Sequence, residues 1–112
     1  MKAVSTITPK WDENASKEVK LERIITQKWL ALYPEGAEAW AEQRRTGYPH
    51  LFKVLTNHSN GLIDTNKMVR RLPFPSGLAS SFPDLYQQLV GALGGADNGG
   101  TDVWWSVGKN NF

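Results

Sequence analysis

The chain has 112 residues, a length that fits one domain able to bury roughly two-thirds of its unfolded surface. Thirteen Lys and Arg residues against eleven Asp and Glu residues give a net charge of +2 at pH 7, and no run of like charges marks a nucleic-acid or membrane arm. The absence of cysteine excludes disulfides, thiolate nucleophiles and cysteine-based metal sites, and no stretch is long and apolar enough for a membrane span.

The first predicted helix follows an irregular lead-in over residues 1–13. Ser16 is a suitable N-cap, and a helical pattern runs from there to about Leu32. One apolar stripe is formed by Leu21, Ile24, Ile25, Trp29 and Leu32, and two further apolar residues, Val19 and Leu30, project nearly opposite it. A helix that is apolar on two sides is expected to pack against more than one neighbour.

A second helix is predicted to follow after a sharp break. Pro34 disfavours the α conformation at the residue before it, so the first helix ends there and the next begins near Glu35. Gly47 is a suitable C-terminal stop. The sequence therefore predicts an αα-hairpin over residues 16–47.

The rest of the chain is predicted to be less regular, with one more helix. Residues 48–80 are expected to form a loop and an extended segment, because Pro73 and Pro75 exclude helix there. A last helix is predicted over residues 81–93, followed by a glycine- and tryptophan-rich tail over residues 94–112. The pattern alone thus predicts a single, mainly α-helical module over residues 1–112.

Few residues have the type and spacing that catalysis or metal binding requires. His50 and His58 have a spacing typical of no simple metal site, and surface positions are favoured for both. The loop that holds Asp97, Asn98 and Asp102 lacks the ligand alternation and the terminal Glu of a calcium loop, which favours a turn. No serine lies in a nucleophile-elbow context. We therefore predict no catalytic residue, no metal site and no cofactor.

The tryptophans are the best candidates for ligand contact. Trp29 and Trp40 lie on apolar helix faces, which favours a structural role in packing. Trp104 and Trp105 are adjacent in a segment that is predicted to be strand-like, where alternation would send one ring inwards and the other outwards. These two residues are the candidate ligand-binding residues.

Two adjacent arginine pairs allow two interpretations. Arg44 and Arg45 lie at a helix end, where ion pairing and a structural role are favoured, and the same applies to Arg70 and Arg71 before the proline-rich segment. The alternative is phosphate binding. Together with Trp104 or Trp105, that alternative would make the chain a small, basic, helical nucleic-acid-binding module.

A family resemblance favours the structural interpretation. The stretch ITQKWLALYPEGAEAWAEQRRTGYP, preceded by KLERI and followed by LFKV, resembles the C-terminal region of SusD/RagB-type outer-membrane lipoproteins of Bacteroidetes, and of their starch-binding SusD-like branch in particular. The segments WDENA, RRLPFP, LGGADNGGT and VWW are similar to further motifs of this family, in the same order. The resemblance runs from Trp11 to Trp105 and departs from the family at GLASSF.

The resemblance implies a function that the residues alone do not. Members of this family capture glycans at the cell surface and pass oligosaccharides to a TonB-dependent SusC-like transporter in the outer membrane, without chemistry. The family's lipid-bearing cysteine, signal peptide and N-terminal helical scaffold are not among these residues. The resemblance therefore implies a part of a larger α-helical SusD-like fold that packs against the remainder of its scaffold, with no nucleic acid as partner.

Overall fold

A computed structural model describes residues 4–106 and 108. This part of the chain contains four α-helices and no β-strand: α1 (Lys17–Ala31), α2 (Gly36–Thr46), α3 (Leu78–Ser81) and α4 (Pro83–Leu93). The predicted mainly α-helical class is confirmed. The chain divides into two compact units, unit 1 with residues 4–52 and Gly108, and unit 2 with residues 53–106. None of the described helices is long and apolar enough to cross a membrane.

Helix α1 begins where the sequence signals predict. The Ser16 hydroxyl accepts a hydrogen bond from the Val19 N–H at 3.3 Å, which pairs one of the amides that a helix start leaves free. Glu18 lies in the first turn and Lys28 in the last, an order of charges that complements the helix dipole. The helix ends at Ala31, within a turn of the predicted end.

Helix α2 returns after a tight connection through Tyr33 and Pro34. The helix ends at Gly47, whose φ of 83° is left-handed and whose N–H donates to the Gln43 carbonyl at 2.8 Å. Helices α1 and α2 pack against each other, and the Lys28 ammonium lies 3.3 Å from carboxylate oxygens of both Glu38 and Glu42. Unit 1 therefore contains the helical hairpin, joined by ion pairs as well as by packing.

The apolar core of this hairpin is small. Ile25 on α1 and Ala39 on α2 are the two buried apolar residues in the described part of the chain. Several large apolar side chains remain exposed instead, among them Leu30 at 65% and Tyr33 at 89%. Apolar burial within these residues is thus much less than a chain of this length normally achieves.

Unit 2 contains the last two helices. Pro83 occupies the first turn of α4, and Gly94, with a φ of 72°, ends it, as the sequence predicts. The four-residue helix α3 is absent from the sequence-based prediction, which placed its residues in the extended segment and at the start of the last helix. Its single turn is closed by the N–H of Phe82, which donates to the Leu78 carbonyl. A helix of one turn has too few residues to show a period.

A polar loop over residues 57–67 precedes these helices. The Asn57 side chain accepts from the Ser59 N–H at 2.9 Å and donates to the Ile63 carbonyl at 2.6 Å, so one asparagine organises both ends of the turn. Asn60 and Gly61 have positive φ values of 52° and 87°. These residues form a turn within the loop that is predicted after residue 48.

The strand predicted around Trp104 and Trp105 is wrong. Residues 104–106 lie in a turn, in which the Ser106 N–H donates to the Val103 carbonyl at 2.9 Å. Two adjacent aromatic residues are too short a pattern to distinguish a strand from a turn. Residues 1–3 of the predicted lead-in, and residues 107 and 109–112 of the predicted tail, lie outside the described residues.

Candidate functional site

Arg70 holds the turn that carries the two candidate tryptophans. Its side chain is only 1% exposed. Its Nε donates to Asp102 Oδ1 at 2.6 Å, and its Nη2 donates to the Ser106 carbonyl oxygen at 2.9 Å. One buried guanidinium therefore fixes both ends of the segment from Asp102 to Ser106, with charge-assisted hydrogen bonding on the carboxylate side.

Arg71 makes a second ion pair in the same unit. Its Nη1 lies 2.7 Å from Asp97 Oδ1, and its guanidinium lies 4.6 Å from the centre of the Phe74 ring. Asp97 also accepts from the Phe74 N–H at 2.9 Å and from the Tyr86 hydroxyl at 3.3 Å. We call Arg70, Arg71, Asp97 and Asp102 the arginine clamp, because the two pairs join the proline-rich segment to the glycine-rich loop.

The backbone of the glycine-rich loop fits closely beside the clamp. The Gly99 N–H donates to the Leu62 carbonyl at 2.7 Å, and the Gly99 carbonyl accepts from the Arg70 N–H at 2.7 Å. A Cβ atom at position 99 would lie 2.6 Å from Ile63 Cδ1 and 3.1 Å from the Leu62 carbonyl oxygen. Glycine is therefore required at Gly99 by the close approach of another backbone.

The two candidate tryptophans differ in their surroundings. Trp104 is 88% exposed, whereas Trp105 is half-buried. Because Arg70 binds the Asp102 carboxylate before the turn and the Ser106 carbonyl oxygen at its end, the Trp104 ring is presented to solvent from an ordered turn. An exposed indole on an ordered turn can stack on a flat apolar surface at a small entropic cost.

The four residues predicted to be structural lie in unit 1. Trp29 is half-buried, and the Arg44 guanidinium lies 3.6 Å from the centre of the half-buried Trp40 ring. Arg44 itself is buried, at 9% exposure. Arg45 forms hydrogen bonds of 2.9 and 3.0 Å to the carboxylate of Glu42. Arg44 and Arg45 thus make contacts within α2, and the structural role of all four residues stays a prediction.

Sequence reasoning missed the acidic half of the clamp. The sequence favours a simple turn over a calcium loop for Asp97 and Asp102, and the structure pairs both with arginines, which neither interpretation includes. The described residues contain no group of three or more His, Asp or Glu side chains that could hold a metal ion. His50 is half-buried, with its ring centre 5.1 Å from that of Tyr48 in an edge-to-face arrangement, whereas His58 is exposed as predicted. The sequence signal that could have predicted these ion pairs is an adjacent arginine pair followed by two aspartates in one later loop.

The clamp alters two pKa values. Burial alone would raise the pKa of Asp97, but the hydrogen bonds from the Arg71 guanidinium and the Phe74 N–H outweigh burial, so the pKa lies below its ordinary value. Burial raises the pKa of the Tyr86 hydroxyl, and the negative charge of Asp97 adds to the shift. The folded clamp therefore favours an ionised Asp97 beside a neutral Tyr86.

These shifts predict how the stability of unit 2 depends on pH. Asp97 contributes above its unfolded pKa of about 4, and that contribution is lost as the pH falls through the lower folded value. Tyr86 contributes below its unfolded pKa of about 10, and that contribution is lost as the pH rises through the higher folded value. In urea titrations, Tyr86→Phe should lose the alkaline decrease and keep the acid one. A free energy of unfolding that increases as the pH falls from about 5 to about 3 would contradict the lowered pKa of Asp97.

The comparison with protein families decides what the chain is related to. The family model described as SusD-like, Susd and RagB outer membrane lipoprotein, matches residues 1–106. The chain belongs to the SusD-like family. The resemblance predicted from the motifs is therefore confirmed. A search of the curated proteins finds no match to this SusD-like chain.

Solved structures agree with the family. A SusD homologue from Bacteroides vulgatus is 63% identical, with a TM-score of 0.85, and the match covers 100% of this SusD-like chain and 22% of the homologue. A SusD homologue from Bacteroides uniformis is 53% identical, with a TM-score of 0.85 and coverage of 94% and 22%. A chitin-binding SusD homologue from Flavobacterium johnsoniae is 53% identical, with a TM-score of 0.78 and coverage of 91% and 21%.

The SusD-like chain therefore spans about a fifth of the length of these relatives, 22% in the case of the Bacteroides vulgatus homologue. The prediction that it forms part of a larger α-helical fold is confirmed. This also accounts for the small apolar core, because most of the fold that could cover the exposed side chains lies in the other four-fifths.

Proposed function

We propose that this chain is a non-catalytic part of a cell-surface, glycan-binding lipoprotein that delivers oligosaccharides to a TonB-dependent SusC-like transporter in the outer membrane. The observation that carries the proposal is the family match over residues 1–106, with a family description that names outer membrane lipoproteins. The relative from Flavobacterium johnsoniae, 53% identical, supports a glycan as the ligand because it is chitin-binding. Transporter and glycan are partners of the whole protein.

Within that protein, we assign Trp104 to direct contact with the glycan. Pyranose rings have apolar faces of C–H groups, which pack against the flat face of an indole ring. Trp104 offers such a face, since it is 88% exposed on a turn that the Arg70 side chain holds at both ends. Trp105, which is half-buried, supports the turn from within.

The surroundings of the arginines argue against the nucleic-acid-binding alternative. Arg70 and Arg71 are 1% and 7% exposed and form ion pairs with Asp102 and Asp97. Arg45 is paired with Glu42. Binding of a phosphate by Arg70 or Arg71 would break a buried ion pair, which is strongly unfavourable. The residues that suggested this alternative are thus occupied in the folded chain.

The test uses a whole SusD-like protein in which this chain replaces the matched region of the Bacteroides vulgatus homologue; we call this protein the chimera. We expect Trp104→Ala in the chimera to weaken binding of its best ligand, among chitin and starch oligosaccharides, by about fivefold, because one stacking contact contributes on the order of 1 kcal/mol. Isothermal titration calorimetry measures the change.

The matched control is Trp11→Ala, since Trp11 is 46% exposed and lies in unit 1. Its effect on affinity should stay within about twofold, below the contribution of a stacking contact. Equal affinities for Trp104→Ala and the unmodified chimera would remove the role assigned to Trp104. A chimera that binds no glycan at all would contradict the proposed function itself.

A further inference from the structure

Two asparagines of unit 2 are followed directly by glycine, Asn60 by Gly61 and Asn98 by Gly99. Such a pair can deamidate without an enzyme, because glycine has no Cβ atom to obstruct attack of its amide nitrogen on the asparagine side chain. The sequence contains no other Asn–Gly pair. Since both pairs have the same chemistry, the structure around each one decides whether it reacts.

The pair at Asn60 is open to solvent. Asn60 and Gly61 are both exposed and form the centre of a turn, with positive φ values of 52° and 87°. Neither the Asn60 side chain nor the Gly61 N–H makes a hydrogen bond within the described part of the chain. The nearby hydrogen bonds join Ser59 to Leu62 and Ile63 and leave the pair itself unbound. The two groups that must meet are therefore free of competing partners.

The pair at Asn98 is held in place. Gly99 is buried, and its N–H, which would have to attack, donates to the Leu62 carbonyl at 2.7 Å. The half-buried Asn98 side chain accepts from the Gly100 N–H at 2.9 Å, and the Asn98 carbonyl accepts from Arg71 Nη1 at 3.4 Å. Attack here requires both reacting groups to leave their partners, so the site reacts when the loop opens by local unfolding.

We propose that Asn60 is a site of spontaneous deamidation in this protein and that its hydrogen bonds protect Asn98. The Gly61 nitrogen loses its proton to solvent base and forms a bond to Asn60 Cγ. The bond from Cγ to the side-chain Nδ2 then breaks, and ammonia leaves after taking up a proton. Water opens the resulting cyclic imide at either carbonyl, which leaves aspartate or isoaspartate at position 60. Nothing is oxidised or reduced, and water is the co-reactant.

The product changes the loop over residues 57–67 in two ways. Either acid adds a negative charge to an exposed turn. Isoaspartate also lengthens the backbone by a methylene group between Ser59 and Leu62, whose turn hydrogen bond of 3.1 Å depends on that spacing. The modification therefore alters the turn that places the Leu62 carbonyl against Gly99. This inference concerns the chemical stability of the chain and is independent of glycan binding.

Incubation of the chimera at mildly alkaline pH, in buffer and in concentrated urea, tests the proposal. Tryptic peptides 54–67 and 72–109 carry the two sites separately, and mass spectrometry measures the conversion of amide to acid in each. In buffer we expect Asn60 to react at least about tenfold faster than Asn98, because opening of the Asn98 loop breaks several hydrogen bonds. In urea, where the fold is absent, both peptides should react at similar rates.

Two variants serve as controls. Asn60→Gln should abolish conversion in peptide 54–67, which also contains Asn57 and Asn66, because glutamine would have to close a larger ring. Asp97→Ala removes the carboxylate that holds Arg71. That variant should therefore raise the rate at Asn98 towards its value in urea and have little effect on Asn60.

Equal rates at the two sites in buffer, or no conversion of Asn60 there, would overturn the proposal. Conversion in peptide 54–67 that persists in Asn60→Gln would also overturn it. So would a peptide 72–109 that stays unconverted in urea, since the protection of Asn98 would then not come from the fold. The proposed glycan function is tested separately, because its readout is the affinity of the chimera for oligosaccharides.

Discussion

Replacing Asp97 by alanine should lower the free energy of unfolding of unit 2 by about 3 to 5 kcal/mol, because removing one partner leaves a buried charge without compensation. The orphaned partner is the Arg71 guanidinium, which is 7% exposed, and the Phe74 N–H and the Tyr86 hydroxyl lose an acceptor as well. A loss of this size is comparable to the whole stability of a small domain. We therefore expect the amide resonances of residues 97–106 to lose their dispersion at low urea concentration.

The matched control for this prediction is Asp84→Ala. Asp84 is an exposed aspartate in the first turn of α4, where its charge favours the helix dipole by about 0.3 to 1 kcal/mol. The two variants remove the same group from the same unit. If Asp97→Ala lowers the free energy of unfolding by no more than Asp84→Ala does, the clamp does not stabilise unit 2.

The second large effect is expected at Gly99. Gly99→Ala would place a methyl group 2.6 Å from Ile63 Cδ1 and 3.1 Å from the Leu62 carbonyl oxygen. Ile63 can rotate away, but the Leu62 carbonyl accepts the Gly99 N–H and cannot retreat without losing that hydrogen bond. We expect a loss of about 2 to 3 kcal/mol, the usual range for overpacking against fixed structure.

Gly91→Ala is the matched control, with an effect of opposite sign. Gly91 lies within α4, and a Cβ built on it meets nothing within 4 Å. The change should therefore raise the free energy of unfolding by about 0.5 to 1 kcal/mol through the higher helix propensity of alanine. Urea denaturation measures both variants. A Gly99→Ala chain as stable as the unmodified one would show that the loop does not approach Leu62 this closely.

Local signals predicted the helices well. Ser16, Pro34, Gly47 and Gly94 each act on the backbone within a few residues, so the ends of α1, α2 and α4 could be inferred without knowledge of the rest of the fold. The one-turn helix α3 was missed because it is too short for a period. The predicted strand failed because two tryptophans define no alternation.

The clamp could not be predicted because its partners are distant in the sequence. Arg71 and Asp97 are 26 residues apart, and Arg70 and Asp102 are 32 apart, with a loop and two helices between them. Only the tertiary fold decides which of several nearby carboxylates each arginine meets. For the same reason, the residue types in the glycine-rich loop predict a turn but do not show which arginines its aspartates pair with.

Sequence and structure agree that one apolar side of α1 has no packing partner among the described residues. The sequence predicts a helix that is apolar on two sides, and in the structure Ile25 is buried while Leu30 stays exposed. A chain that forms one part of a larger helical protein accounts for both observations.

The most direct test of this account compares retention of the isolated chain and of the chimera on immobilised glycans and on double-stranded DNA, at roughly 50 mM and 200 mM salt. The unmodified Bacteroides vulgatus homologue is the control. We predict that the chimera is retained on a glycan that the homologue also binds, with little dependence on salt, and that neither chain nor chimera is retained on DNA. Retention of the isolated chain on DNA that falls steeply with salt, together with loss of glycan retention by the chimera, would contradict the account.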